Sequence, residues 1–167
     1  AYARHYPAIN WTESYSEYFI DLDPWYTEHL GEDFVKYRRR ISQLLQEENK
    51  LMEIVKLIGS DVLPDDQKLI IENARVIRVG FLQQNAFHQE ATYVPLEKQR
   101  EMMRVILHLY RKARQLISAS VPISNILQTG LFDKLVKMKY DIPNNRLDLF
   151  EEYTAEIDKL LADLVAA

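Results

Sequence analysis

Four histidines, His5, His29, His88 and His108, come first, because imidazole titrates near neutrality and is a common metal ligand. His88 stands two residues from Glu90, but a zinc-type centre needs three or four convergent ligands, and no HExxH-type spacing occurs. The four read as solvated or core side chains, and no metal site is assigned. A Ser/His/Asp triad draws its members from distant parts of a chain, so spacing leaves it open, yet no nucleophile-elbow pattern supports one. Glycine occurs only at 31, 59, 80 and 130, which rules out a Gly-rich phosphate loop. No residue is assigned as catalytic, and the chain by itself is expected to bind no cofactor.

Other groups suggest binding. Arg100, Arg104 and Arg111 fall on one side of a helix and could hold phosphate or an acidic partner. A solvated face partly balanced by Glu97 and Glu101 is the simpler reading. Arg38, Arg39 and Arg40 point three ways around a helix and make no patch. The turn from Gly59 to Gln67 carries Asp61, Asp65 and Asp66 beside the apolar Val62 and Leu63. It can be a capped helix–helix turn, with Asp65 and Asp66 serving the helix dipole, or an acidic, apolar tip that pushes a partner. The string Phe81-Leu82-Gln83-Gln84-Asn85-Ala86-Phe87 ends a helix in amides and sets an aromatic just beyond. Phe87 there either packs back on the bundle or faces a ligand.

These groups need helices to position them, and the periodicity supplies helices. Phe34, Tyr37, Ile41, Leu44, Leu51, Val55 and Ile58 step by three and four, interrupted only by Glu48. The spacing predicts a long amphipathic helix over Glu32 to Ile58, stopped by Gly59. A second starts at Pro64 or Asp65 and buries Ile70, Ala74, Ile77 and Phe81 as far as Leu82. It should lie antiparallel to the first and in contact with it. A third, Leu96 to Ser118, turns Met103, Ile106, Tyr110, Ala113 and Ile117 inward. Short pieces follow at Ile123 to Gln128 and Leu131 to Lys139. A last helix, Leu147 to Val165, buries Phe150, Tyr153, Ile157, Leu160 and Leu164. Residues 1–23 are rich in aromatics and read as an irregular lead-in, with a break at Asp23-Pro24. The expectation is one all-α bundle over 24–167 with that lead-in and no second domain.

Composition agrees. A chain of 167 residues with 47% hydrophobic residues can bury a sizeable core. Its net charge of −4 does not suit nucleic acid, which calls for a basic footprint. The absence of cysteine excludes a disulfide framework and leans towards the cytosol. No apolar run reaches the length of a membrane span. The opening Ala1 to His5 lacks an initiator Met and reads as a start in mid-protein, although a processed chain would look the same.

Several segments in fixed order carry a resemblance. Tyr6-Pro7-Ala8-Ile9-Asn10-Trp11 followed by Ser14-Tyr15-Ser16, then Leu22-Asp23-Pro24-Trp25-Tyr26, Leu57-Ile58-Gly59 through Asp66, and the FLQQNAF string ending at Phe87 resemble the C-terminal region of catalytic A subunits of V/A-type rotary ATP synthases. The likeness covers essentially the whole chain and is strongest up to residue 110.

The resemblance implies an ion-translocating ATP synthase or ATPase whose A subunits alternate with B subunits around a central stalk. Such a head is cytoplasmic and meets the membrane only through the complex. ATP or ADP with Mg would bind the intact subunit, whose P-loop lysine, catalytic glutamate and magnesium-binding residues lie upstream of this chain. The tip is similar to the DELSEED loop of F-type beta subunits: Asp61 and Leu63 match its first and third positions, and Asp65 and Asp66 keep two acids. Val62, Pro64 and Gln67 depart from it. The resemblance therefore marks Asp61, Val62, Leu63, Asp65 and Asp66 as central-stalk contacts, and Phe87 with Tyr93 as adenine contacts. The rival readings are a stand-alone helical adaptor, which would need an exposed apolar groove, and a small helical enzyme, which would need a deep polar pocket.

Overall fold

The computed structural model describes residues 31–82 and 94–166. The lead-in, its break at Asp23-Pro24, and His5, His29, His88, Phe87 and Tyr93 lie outside the described residues. Among the described residues there are helices and no strand.

Helix α1 spans Glu32–Ile58, with the expected limits. Its stripe buries Phe34, Ile41, Leu44 and Leu51. The interruption at Glu48 has a partner: this carboxylate, 4% exposed, accepts a hydrogen bond from the Arg78 guanidinium. Burial pushes the Glu48 carboxyl above its ordinary range, and Arg78 pulls it back. The stripe ends sooner than its periodicity implies. Val55 is half-buried and Ile58 is 60% exposed, so the last turns of α1 run past the core.

Helix α2, Asp65–Arg75, follows Pro64, whose extended backbone starts it. Leu69, Ala74 and Ile77 are fully buried, whereas Ile70 is only half-buried. The single α-helix expected as far as Leu82 does not persist, because Val76–Leu82 is wound as a π-helix. Space explains why Gly80 stands there: a Cβ at Gly80 would lie 2.9 Å from the Val136 Cα. Wider winding and a missing side chain let this segment press on the backbone of a later helix. The shared turn and the Glu48–Arg78 pair show α1 and α2 packed antiparallel.

Helix α3, Leu96–Ser118, is the central element and touches every other helix. Met102, Met103, Val105, Ile106, Leu109 and Ala113 on it are fully buried. It ends in a Schellman motif: Val121 N–H reaches the Leu116 carbonyl at 2.9 Å and Ser120 N–H the Ile117 carbonyl at 2.9 Å, with Ser120 left-handed at φ 71. Then come α4, Ile123–Leu127, and α5, Leu131–Asp141. A 3-10 turn, Leu147–Leu149, leads into α6, Phe150–Ala166. Phe150 and Ile157 are buried as expected, while Tyr153, Leu160 and Leu164 flank the core, half-buried.

One buried cation ties this part together. Lys98, fully buried, donates to the carbonyls of Lys139 at 2.9 Å and Ile142 at 2.6 Å, and to Asn144 Oδ1 at 2.8 Å. An ammonium with three donors is thereby satisfied at the carbonyl end of α5, where the helix dipole favours positive charge.

Candidate functional site

The tip of the α1–α2 hairpin is built by local rules. Gly59 stands at φ 85, a conformation that side chains resist, and its N–H closes α1 on the Val55 carbonyl at 2.8 Å. Ser60–Val62 forms a 3-10 turn. The Pro64 carbonyl then accepts from the Gln67 and Lys68 N–H groups, both at 3.0 Å, to open α2.

The five tip residues singled out in the sequence do not share one environment. Asp61, Val62 and Asp66 are exposed. Leu63 is not: at 6% exposure it packs inward. Asp65 is engaged as well, its Oδ2 accepting from the Ile123 N–H at 3.0 Å and holding the start of α4. What the tip presents instead is apolar. Leu57 is 84% exposed, Ile58 60%, Val62 59% and Ile54 40%. Large apolar side chains grouped at a projecting end mark an interaction surface. Ile54 and Leu57 carried a legible signal, since they stand three residues apart on a face offset from the core stripe, whereas Ile58 continues that stripe.

This apolar cap sits on a stiff arm. The Glu48–Arg78 pair ties α1 to the π-helical segment, and Asp65 ties the base of the turn to α4. At the other end of the second hairpin strut, Phe81 is 8% exposed and Leu82 half-buried. The chain leaves the described residues immediately after them, towards Phe87 and Tyr93.

The remaining candidates resolve individually. Arg38 is buried with its guanidinium 5.5 Å from the Phe34 ring centroid, Arg40 lies 5.3 Å from that of Tyr110, and Arg39 is exposed, so this run does point three ways. Arg104 pairs with Glu101 at 2.9 Å and with Glu151 of α6 at 3.0 Å. Arg100 lies 3.6 Å from Glu101, whereas Glu97 makes no ion pair among the described residues. His108 Nε2 is 2.7 Å from Asp158 Oδ1, and its Nδ1 is 3.2 Å from Arg111 Nη2. No group of His, Asp and Glu among the described residues could hold a metal ion, and no described helix is long and apolar enough to cross a membrane.

The described residues thus form a braced helical hairpin with an apolar cap on a helical bundle. The family model described as the C-terminal domain of V and A type ATP synthase matches residues 23–127. The chain belongs to this family. It is 50% identical over 165 residues to V-type ATP synthase alpha chain 2 of Clostridium tetani, covering 99% of the chain and 28% of that relative. It is 51% identical over 159 residues to the V-type ATP synthase alpha chain of Halothermothrix orenii, covering 95% and 27%. With the A subunit of the A-type ATP synthase of Methanopyrus kandleri it shares 43% identity over 163 residues, covering 97% and 27%. The chain is thus of the type that forms the C-terminal domain of these synthase chains, and it spans little more than a quarter of the length of these relatives.

Proposed function

We propose that this chain is the moving arm of the catalytic A subunit of an ion-translocating ATP synthase, passing motion from a nucleotide site upstream to a central stalk. The observation that carries the reading is the apolar cap of Leu57, Ile58 and Val62 at the projecting end of the braced hairpin. A lever needs a rigid body and a contact that differs between its positions, and a bundle with a stiff, apolar-tipped hairpin meets the first requirement. Asp61 and Asp66 flank the cap. Exposed charges contribute little to a contact, so bulk at Leu57, Ile58 and Val62 governs the push. Leu63 and Asp65 hold the tip's shape. B subunits alternate with the A subunit in this reading, and the head stands on the cytoplasmic side, touching the membrane only through the complex.

In the assembled complex, replacing Leu57, Ile58 and Val62 together by serine is expected to lower torque and uncouple hydrolysis from rotation. Replacing Asp61 and Asp66 by alanine spares most of the torque. Rotation assays on single complexes read both, and a charge-free tip that stalls beside a serine tip that turns normally defeats the proposal.

ATP or ADP with Mg binds the intact subunit in this reading, with the catalytic and metal-binding groups upstream of this chain. Phe87, and secondarily Tyr93, complete the adenine pocket. A base stacked on an aromatic ring gains about 1–3 kcal/mol, so Phe87→Ala in the full subunit weakens ATP binding about 10-fold or more, and Phe87→Trp retains it. Unchanged affinity in the alanine variant would remove Phe87 from the pocket.

A further inference from the structure

Between α1 and α3 lies a groove of about 400 Å³ that the stalk and adenine roles leave unused, lined in part by Tyr37, Arg40, Arg104, His108, Arg111 and Arg114. Four guanidinium groups converge here from two helices. Their local balance is uneven. Arg40 has Glu47 at 3.5 Å, and Arg104 has Glu101 and Glu151. Arg111 and Arg114, both exposed, have no carboxylate partner among the described residues, although they sit one turn apart on α3, where like charges repel.

The arrangement also orients one of these groups. A guanidinium can only donate, so His108 Nδ1 accepts from Arg111 and His108 Nε2 carries the proton donated to Asp158. This chain of contacts from α6 through α3 fixes the Arg111 guanidinium at the groove. Arg40 is steadied in turn across the Tyr110 ring. The groove continues past Arg40 towards α2, but there it meets Glu47 and Asp66, so an anion is confined to the α3 half.

We propose that this half of the groove binds a phosphate-bearing small anion, with Arg111 and Arg114 as its principal ligands and Arg40 and Arg104 at its flanks. Fixed guanidinium forks match the paired oxygens of phosphate. Two arginines without a carboxylate call for more than one negative charge. The volume falls within the roughly 300–1,000 Å³ of small-ligand sites, with the Tyr37 ring and Leu107 as a wall for whatever the phosphate carries.

Calorimetric titration of the 167-residue chain with pyrophosphate, and separately with inorganic phosphate, tests this. The expectation is saturable one-to-one binding, weakened about 10-fold or more by Arg111→Ala with Arg114→Ala. The pair Arg111→Lys with Arg114→Lys keeps the charge, so a loss of about 3-fold or more there reads the fork itself. Removing two cations elsewhere, Lys137→Ala with Lys159→Ala, matches the change in net charge and is expected to leave affinity within about 2-fold. Pyrophosphate binding tighter than phosphate assigns the site to a diphosphate group, and equal affinity assigns it to a single phosphoryl group. No saturable binding of either anion overturns the proposal. So does an equal loss in the lysine control, or capture of a poly-glutamate peptide at Arg111 and Arg114 without pyrophosphate binding.

Discussion

Replacing Gly80 by alanine asks whether the π-helical segment is built around a close approach or merely tolerates a glycine. In an ordinary helix interior the change gains about 1 kcal/mol, because alanine is the better helix former. Here the added Cβ would stand 2.9 Å from Val136 Cα, 3.1 Å from the Val136 carbonyl oxygen and 3.2 Å from that of Leu135. All three are backbone atoms, so no side chain can swing aside, and ordinary carbon contacts lie at about 3.5–4.0 Å. Helix α5 would have to retreat by roughly half an ångström, opening gaps beside Phe81 and Leu135 that forfeit a quarter or more of those contacts. Overpacking of this kind costs about 1–3 kcal/mol, which outweighs the helix gain and leaves a net loss of about 1 kcal/mol, up to 2. Urea unfolding of the chain should show the midpoint falling with the slope unchanged. Val136→Ala should give no rescue, since the obstruction is backbone. A Gly80→Ala chain as stable as the parent, or more so, would refute the close-approach argument.

Lys139 is 2% exposed, and burial, then the neighbouring Lys98 charge, lower its pKa to about 8. The folded state therefore releases this proton before the unfolded state does, so stability rises with pH from about 8 towards 10, by up to ~3 kcal/mol. Denaturant titrations at pH 7 and pH 9.5 should show the rise, and Lys139→Met should remove it. Ser120 occupies the left-handed position of the α3 Schellman motif, where a side chain costs roughly 1 kcal/mol. Ser120→Gly should raise the melting temperature by a few degrees, and a fall would show that the serine side chain makes up for the strain.

Much of this architecture was legible because helical period and punctuation agree. Pro64, Pro95 and Pro122 each precede a helix, Gly59 follows α1 and Ser118–Val121 closes α3, so boundaries fell close to expectation. The misses share a cause: each depends on what lies opposite in space. Periodicity placed Ile58 in the core, but no described residue covers it at the end of α1. Leu63 looked like part of an exposed tip, yet the turn folds it inward. The π-helical winding at Val76–Leu82 follows from the backbone of α5, which no local pattern announces. Asp65 was read through the dipole of its own helix and also serves the N-terminus of α4. The arginine row was visible on α3, where Arg114 continues it at helical spacing from Arg111, but Arg40 completes it from α1, and only the packing brings that residue in.

Helix α5 has a position in the chain's path that its length does not suggest. The backbone departs from the described residues just after Gly80 rests on Val136, and it returns just before Lys98 grips the carbonyls of Lys139 and Ile142. The described residues on either side, Gly80 and Lys98, are thus moored to one short helix. Any tilt of α5 carries the two moorings together, so the span between them stays fixed while their common position moves. Substitutions on the buried face of α5, at Phe132 or Leu135, would then displace the moorings at Gly80 and Lys98 together, which makes this short helix a common footing for both.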